Sequence, residues 1–266
     1  MERHSLIIHS PITNMEFQGK TVLITGSSRG IGSATALAFA EKGAKVAVHY
    51  SSNQTAGQQT LDQLPGERHL LVQADVANAA EVEAMVNQVH TKWGRLDVLV
   101  NNAGIFSPHP IDEVSYEEWQ ESWLTTMQVN LLGAANVCYC AAEKMIHQGG
   151  GRIINVSSRG AFRGEPDHPA YGASKAGMNA MSQSLAKKLG KYNIGVYAIA
   201  PGFVATDMAQ PTLDGPAGAV IKSESPYNRV AKPEEIAHAI LFYASEKAAF
   251  MTGGIMDVNG ASYLRT

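Results

Sequence analysis

The chain alternates short, β-branched apolar runs with longer amphipathic ones from Lys20 onward, and few folds accommodate that pattern. KTVLIT (20–25), AKVAVHY (44–50), HLLVQ (69–73), LDVLV (96–100), Arg152–Val156, GVYAIA (195–200) and GIMDV (254–258) read as strands. Their apolar stretches are nearly continuous, which marks strands buried on both faces. Helical runs extend to about Lys42, from about Gln54, over Ala80–Lys92, from the capping-box sequence Ser115-Tyr116-Glu117-Glu118, through Tyr171 to about Lys191, and from Pro233. Strand–helix alternation predicts an α/β, doubly wound parallel sheet of about seven strands with helices on both faces, a single-domain Rossmann fold. No linker divides residues 19–266, which are read as one domain. Residues 1–18 lack periodicity and are read as a flexible tail, with Met15 as an alternative start.

With 45% hydrophobic residues in 266, there is enough apolar side chain for a large core. A net charge of -3 gives no footprint for nucleic acid or an anionic membrane surface. No apolar run approaches the roughly 18 residues that span a bilayer, and Leu6-Ile7-Ile8 is too short for a signal sequence. A cytoplasmic location without a membrane partner is therefore expected. Cys138 and Cys140 are two apart in a helical run, where they face different ways and read as small apolar residues. The nine histidines are scattered, and no metal site is expected.

Thr25–Gly32, TGSSRGIG, joins the first strand to the first helix. Gly26, Gly30 and Gly32 provide a tight turn and close backbone approach, with Ser28, Arg29 and Ile31 between them. A pyrophosphate at the helix N-terminus is the reading favoured over a plain turn. At the end of the second strand an acid would accept from a ribose 2'-hydroxyl, but the chain has Tyr50, Ser51 and Ser52. With Arg29 as a nearby cation, this points to NADP(H). Asp75-Val76 follows the third strand, where Asp75 either accepts from an adenine amino group or caps the next helix. NNAG, including Asn102, Ala103 and Gly104, ends the fourth strand at the same sheet edge. Asn130, among apolar neighbours, reads locally as a satisfied core amide.

Tyr171 and Lys175 are four apart and share a helix face, behind a strand that ends at Ser158. Bringing a phenol from pKa 10 to 7 takes about 4 kcal/mol. A cation about 4 Å away at an effective dielectric of about 20 supplies that amount. The Ser158 hydroxyl would hydrogen-bond a substrate carbonyl that Tyr171 protonates.

TGSSRGIG, Asp75-Val76, NNAG, Asn130, Ser158, YGASK and PGFVAT in this order resemble the short-chain dehydrogenase/reductase family, from about Gly19 to the C-terminus. The resemblance implies a general acid/base at Tyr171, and at Lys175 a residue that lowers its pKa and holds the nicotinamide ribose. It implies a carbonyl-orienting Ser158, selected over Ser157 by the thirteen residues to Tyr171, and a proton-relay Asn130. It further implies that Asn102–Gly104 and the turn bearing Pro201, Gly202 and Val204 line the coenzyme. Thr206 would hold its nicotinamide end, and dimers or tetramers are expected. Phe106, His109, Arg159, Arg163, His168 and Met208 are candidate pocket residues, and 210–227 a mobile loop over the site. The ending is similar to the 3-oxoacyl thioester reductases, although Val258-Asn259-Gly260-Ala261 departs from their common double glycine. The leading expectation is an NADP(H)-dependent oxidoreductase for a small carbonyl or alcohol of undefined identity. A 3-oxoacyl-[acyl-carrier-protein] reductase and a non-catalytic coenzyme-sensing protein are the rivals.

Overall fold

The seven apolar runs become seven parallel strands in a computed structural model that describes residues 16–265. In chain order the elements begin with β1 (Thr21–Ile24), α1 (Gly30–Glu41), β2 (Lys45–Tyr50), α2 (Gln54–Gln63) and β3 (Leu70–Gln73). Next come α3 (Ala79–Trp93), β4 (Val98–Asn101), α4 (Tyr116–Met127), a π-helical turn (Gln128–Gly133) and α5 (Ala134–Gln148). They are followed by β5 (Gly151–Val156), α6 (Gly160–Arg163), α7 (Pro169–Leu189) and β6 (Ile194–Pro201). The remainder is α8 (Gln210–Asp214), α9 (Gly218–Ser223), α10 (Pro233–Ala244) and β7 (Ile255–Val258).

Strand order is β3-β2-β1-β4-β5-β6-β7. The chain winds outward through β2 and β3, then returns to lay β4 beside β1, with Val22 opposite Val98 in register. Connections leave β1 and β4 toward opposite faces, so a crevice opens at their carboxyl ends. This is the doubly wound Rossmann-type architecture expected from the alternation.

Successive strand residues feed two cores. Val22 and Ile24 join Phe39 of α1 and Ile236 and Ile240 of α10 on one face. Leu23, Leu99 and Ile153 join Val82 and Val86 of α3, Val137 and Met145 of α5, and Leu189 of α7 on the other. Truncating such a residue to Ala costs roughly 2–5 kcal/mol, so this double burial holds the crevice rigid. Ser115 caps α4 through a capping box, its Oγ accepting from Glu118 N and its N–H donating to the Glu118 carboxylate at 2.8 Å.

Three expectations are corrected. Residues 1–15, most of the expected tail, lie outside the described residues, but Phe17 is buried edge-on against Phe39 at 4.9 Å. An aromatic side chain with a core pocket to fill extends the packed chain N-terminally of Gly19. The segment read as the loop 210–227 contains α8 and α9. The helix that carries Asn130 is interrupted by the π-helical turn, which hydrophobic spacing does not reveal. Among the described residues no helix is long and apolar enough to cross a membrane.

Candidate active site

A cleft of ≈ 630 Å³ occupies the crevice at the carboxyl edge of the sheet, within the roughly 300–1,000 Å³ of small-molecule sites. Its floor is the glycine turn after β1. Gly26 adopts φ +62, and a Cβ there would stand 2.8 Å from Ala103 Cα. Gly30 adopts φ +56 and lies against Thr206 across the cleft. Arg29 precedes α1 in extended conformation; no side chain caps that helix, and its first turn holds no acid. Its leading N–H groups thus remain open to an anion.

The turn is braced from two sides. Asn102 Nδ2 donates to the carbonyls of Thr25 and Gly26 at 3.0 and 2.9 Å, and Thr25 Oγ1 accepts from the N–H groups of Asn102 and Ala103. From β2, His49 Nδ1 accepts the Gly26 N–H at 2.8 Å while Nε2 lies 2.9 Å from Ala74 O. Accepting at Nδ1 requires the proton on Nε2, and burial lowers the pKa of this imidazole, so the ring is neutral.

Opposite the turn, Ser157 and Ser158 follow the end of β5. Ser157 Oγ donates to Lys175 O, whereas Ser158 Oγ accepts the Gly160 N–H at 3.0 Å and lines the cleft. α7, entered through Pro169, presents Tyr171 and Lys175 to the same cleft. Lys175 is 4% exposed, and its Nζ donates to Val156 O at 2.8 Å and lies 5.7 Å from the Tyr171 ring centroid. A cation near the phenol favours its ionised form. Burial instead pushes the Tyr171 phenol up to about 12, with Ser158 as the neighbour that favours the phenolate, and lowers Lys175 to about 8. Burial thus opposes the lowering of the Tyr171 pKa expected from a nearby cation.

Phe106 meets Tyr171 edge-on at 4.7 Å and is stacked at 3.7 Å on His168, forming a wall around the phenol. Asn130 lies behind the cleft. Its Oδ1 accepts from Ile105 N at 2.8 Å, and its Nδ2 donates to Ile105 O and to Ser174 Oγ. The local reading as a satisfied amide holds. A Cβ on Gly104 would be 3.2 Å from Asn130 Oδ1 and 3.6 Å from Lys175 Nζ, so this glycine allows the two side chains to approach.

Most expected coenzyme residues line the cleft: Gly26, Ser28, Arg29, Gly30, Ile31, Ser51, Ser52, Asp75, Val76, Asn102, Ala103, Gly104, Pro201, Gly202, Val204 and Thr206. Gly32 and Tyr50 do not. Gly32 is packed beneath the turn, where a Cβ would collide with Gly26 O, and Tyr50 turns away toward Gly57 of α2. Strand alternation accounts for Tyr50, since His49 and Ser51 take the cleft side. Asp75 Oδ1 accepts from Ala77 N, while Asn78 caps α3, so the capping alternative falls to Asn78.

Of the candidate pocket residues, Phe106, Arg159 and Met208 reach the cleft. His109 is buried and accepts from Ala170 N at the start of α7, and Arg163 pairs with Glu224 at 3.0 Å. Glu165, Asp207 and Thr212 line the cleft without having been singled out, as do Asn53 and Ala56. Residue type alone carries no signal for them; Glu165, Asp207 and Thr212 depend on where the loops after β5 and β6 converge, and Asn53 and Ala56 on where α2 begins after β2. Among the described residues no cluster of three metal-ligating side chains occurs.

These features fit a dinucleotide: an open helix N-terminus, a left-handed glycine cradle that side chains would fill, and small residues along the sheet edge. A family model described as enoyl-(acyl carrier protein) reductase matches residues 26–261. The chain is 36% identical over 249 residues to a D-threitol dehydrogenase of Mycolicibacterium smegmatis, covering 93% of this chain and 94% of that protein. It is 36% identical over 247 residues to the 3-oxoacyl-[acyl-carrier-protein] reductase FabG of Staphylococcus aureus, covering 92% and 98%. The crystal structure of gox2181 superposes with a TM-score of 0.88 at 28% identity, covering 94% of this chain and 98% of that one.

Proposed function

The chain belongs to the short-chain dehydrogenase/reductase family and is an oxidoreductase acting between CH–OH and C=O, and on that premise we propose that its coenzyme is NADP(H) and its substrate a small carbonyl compound or secondary alcohol. The observation that carries this reading is the convergence of Ser158, Tyr171 and Lys175 on one cleft floored by the glycine turn. In that cleft the coenzyme, when bound, supplies a hydride to the carbonyl carbon or takes one from the carbinol.

The chain's own residues handle the oxygen and its proton. Ser158 Oγ donates to the substrate oxygen, and Tyr171 delivers its phenolic proton there. A phenol raised to about 12 is protonated at neutral pH, the form that reduction requires. Oxidation needs the phenolate and is favoured as pH rises. Lys175 lies beside Tyr171 and, when charged, stabilises the phenolate. Asn130 takes part in the relay behind Lys175 as a positioning residue, since its amide is engaged with Ile105 and Ser174. The Phe106–His168 pair walls one side of the phenol.

NADP(H) is favoured by what ends β2. Ser51, Ser52 and Asn53 line the cleft there without an acid, and Arg29 is exposed across from them. The similarity to a 3-oxoacyl-[acyl-carrier-protein] reductase makes a carrier-bound substrate the second reading. Against it, Arg29 is the only exposed cation among the described cleft-lining residues, where an acidic carrier would need several. Assembly into dimers or tetramers is supported by exposed Leu124, Leu132 and Tyr139 on the α4–α5 layer.

The test is NADPH oxidation, with NADH in parallel, against diketones, aldehydes, keto sugars and acetoacetyl thioesters, repeated with Tyr171→Phe. Retained coenzyme binding with nearly complete loss of turnover in the variant is expected. Wild-type-like rates in Tyr171→Phe would refute the catalytic assignment, and turnover confined to thioesters would establish the second reading.

A further inference from the structure

Glu165 stands in the turn between α6 and α7 and lines the same cleft as Ser158 and Tyr171. An ideal Cβ on Gly160 would be 2.8 Å from its Oε1, so the carboxylate rests against main chain two residues past Ser158. The Gly160 N–H is the group that Ser158 Oγ accepts. The carboxylate is therefore held on the carbonyl-orienting side of the cleft.

Two guanidiniums are near enough to influence it, yet neither pairs with it. Arg159 contacts Glu224 at 2.6 Å and Ser262 Oγ at 2.6 Å, and Arg163 contacts Glu224 at 3.0 Å. Among the described residues no side chain or backbone N–H donates to the Glu165 carboxylate. Glu165 is half-buried and its carboxylate, with no protein donor, is open to the cleft, where an entering ligand is in position to supply one.

We propose that Glu165 is the specificity-determining residue of the cleft and accepts a hydrogen bond from a hydroxyl on a carbon beside the reacting carbonyl, so that the substrate is a polyhydroxylated ketone or the corresponding polyol. This rests on the oxidoreductase reading above and adds the substrate class. An anionic substrate is repelled by the carboxylate. An ammonium group would share the cleft with the Arg159 guanidinium and the Lys175 side chain, both of which line it. A neutral hydroxyl satisfies the carboxylate without either repulsion.

The experiment compares kcat/KM for 1-hydroxybutan-2-one, erythrulose, 1-aminobutan-2-one and butan-2-one in wild type, Glu165→Ala, Glu165→Gln and Gly160→Ala. Wild type should prefer the hydroxyketones. In Glu165→Ala the ratio of hydroxyketone to butan-2-one should fall roughly 10- to 100-fold, the worth of one charge-assisted hydrogen bond, mainly through KM. Glu165→Gln, which keeps an acceptor oxygen, should recover part of it, and Gly160→Ala should lose part by displacing the carboxylate. An unchanged ratio, or preference for the aminoketone, overturns the proposal. If wild type turns over no ketone, the oxidoreductase reading fails separately. Calorimetric binding of threitol to NADP+-loaded wild type and Glu165→Ala then decides the role of Glu165, equal affinities overturning it and a loss of roughly tenfold or more upholding it.

Discussion

Replacing Lys175 by Met should abolish most turnover while changing the pH dependence of stability in a defined direction. The ammonium group is 4% exposed, and burial lowers its pKa from 10.5 to about 8. That difference of 2.5 units corresponds to about 3 kcal/mol, at 1.36 kcal/mol per unit. Below pH 8 the lysine is charged in both folded and unfolded chains, and the fold carries the full cost of desolvating it. Between about pH 8 and 10.5 the folded side chain is neutral while the unfolded one still binds a proton, so stability rises with pH. Above 10.5 both are neutral and the contribution is constant. Lys175→Met removes this titration, together with the hydrogen bond to Val156 O, which is worth roughly 1.5–3 kcal/mol. At pH 7 the two effects largely offset. The informative quantity is the change with pH: relative to the variant, wild type should gain about 3 kcal/mol between pH 7 and 10.5. Urea unfolding of both proteins across that range measures it, since the remaining lysines and tyrosines titrate in both and cancel. A stability difference independent of pH would refute the desolvation argument. Turnover in the variant close to wild type would refute the role proposed for Lys175.

Arg29→Ala should raise the Michaelis constant for NADPH roughly 10- to 100-fold, as expected for a lost charge-assisted hydrogen bond, and change that for NADH little; equal effects on both coenzymes would contradict the phosphate role. Gly26→Ala should destabilise the protein by about 2 kcal/mol or more, because φ is +62 and the added methyl would stand 2.8 Å from Ala103 Cα. A urea midpoint equal to wild type would refute it. Asp97 is buried, which by itself would raise its pKa, but Arg95 and the N–H and hydroxyl of Thr21 hold it below the usual carboxylate value. Its stabilisation is present above the unfolded carboxylate pKa and lost as pH falls through the lowered folded value. Asp97→Asn should therefore lower stability at neutral pH and flatten the acid limb of unfolding; an unaltered acid limb would exclude Asp97 as its source.

The strands, the strand–helix order and the shared face of Tyr171 and Lys175 were legible in the chain itself. Each depends on neighbours a few residues apart: a run buried on both faces must be apolar throughout, and residues four apart on a helix must be adjacent. Glycines that tolerate left-handed backbone, and the absence of an acid after β2, were equally local signals. Long-range placement settled the rest. His49 braces Gly26 across 23 positions, and Asn130 sits in a π-helical turn with its amide held by Ile105. Tyr50 faces α2 instead of the cleft, while Glu165 enters it through a turn whose position is set by α6 and α7. The ionisation of the central pair also belonged to the tertiary structure. Spacing brought a cation near a phenol, but burial moved Tyr171 up and Lys175 down, because removal from water disfavours the charged form of each.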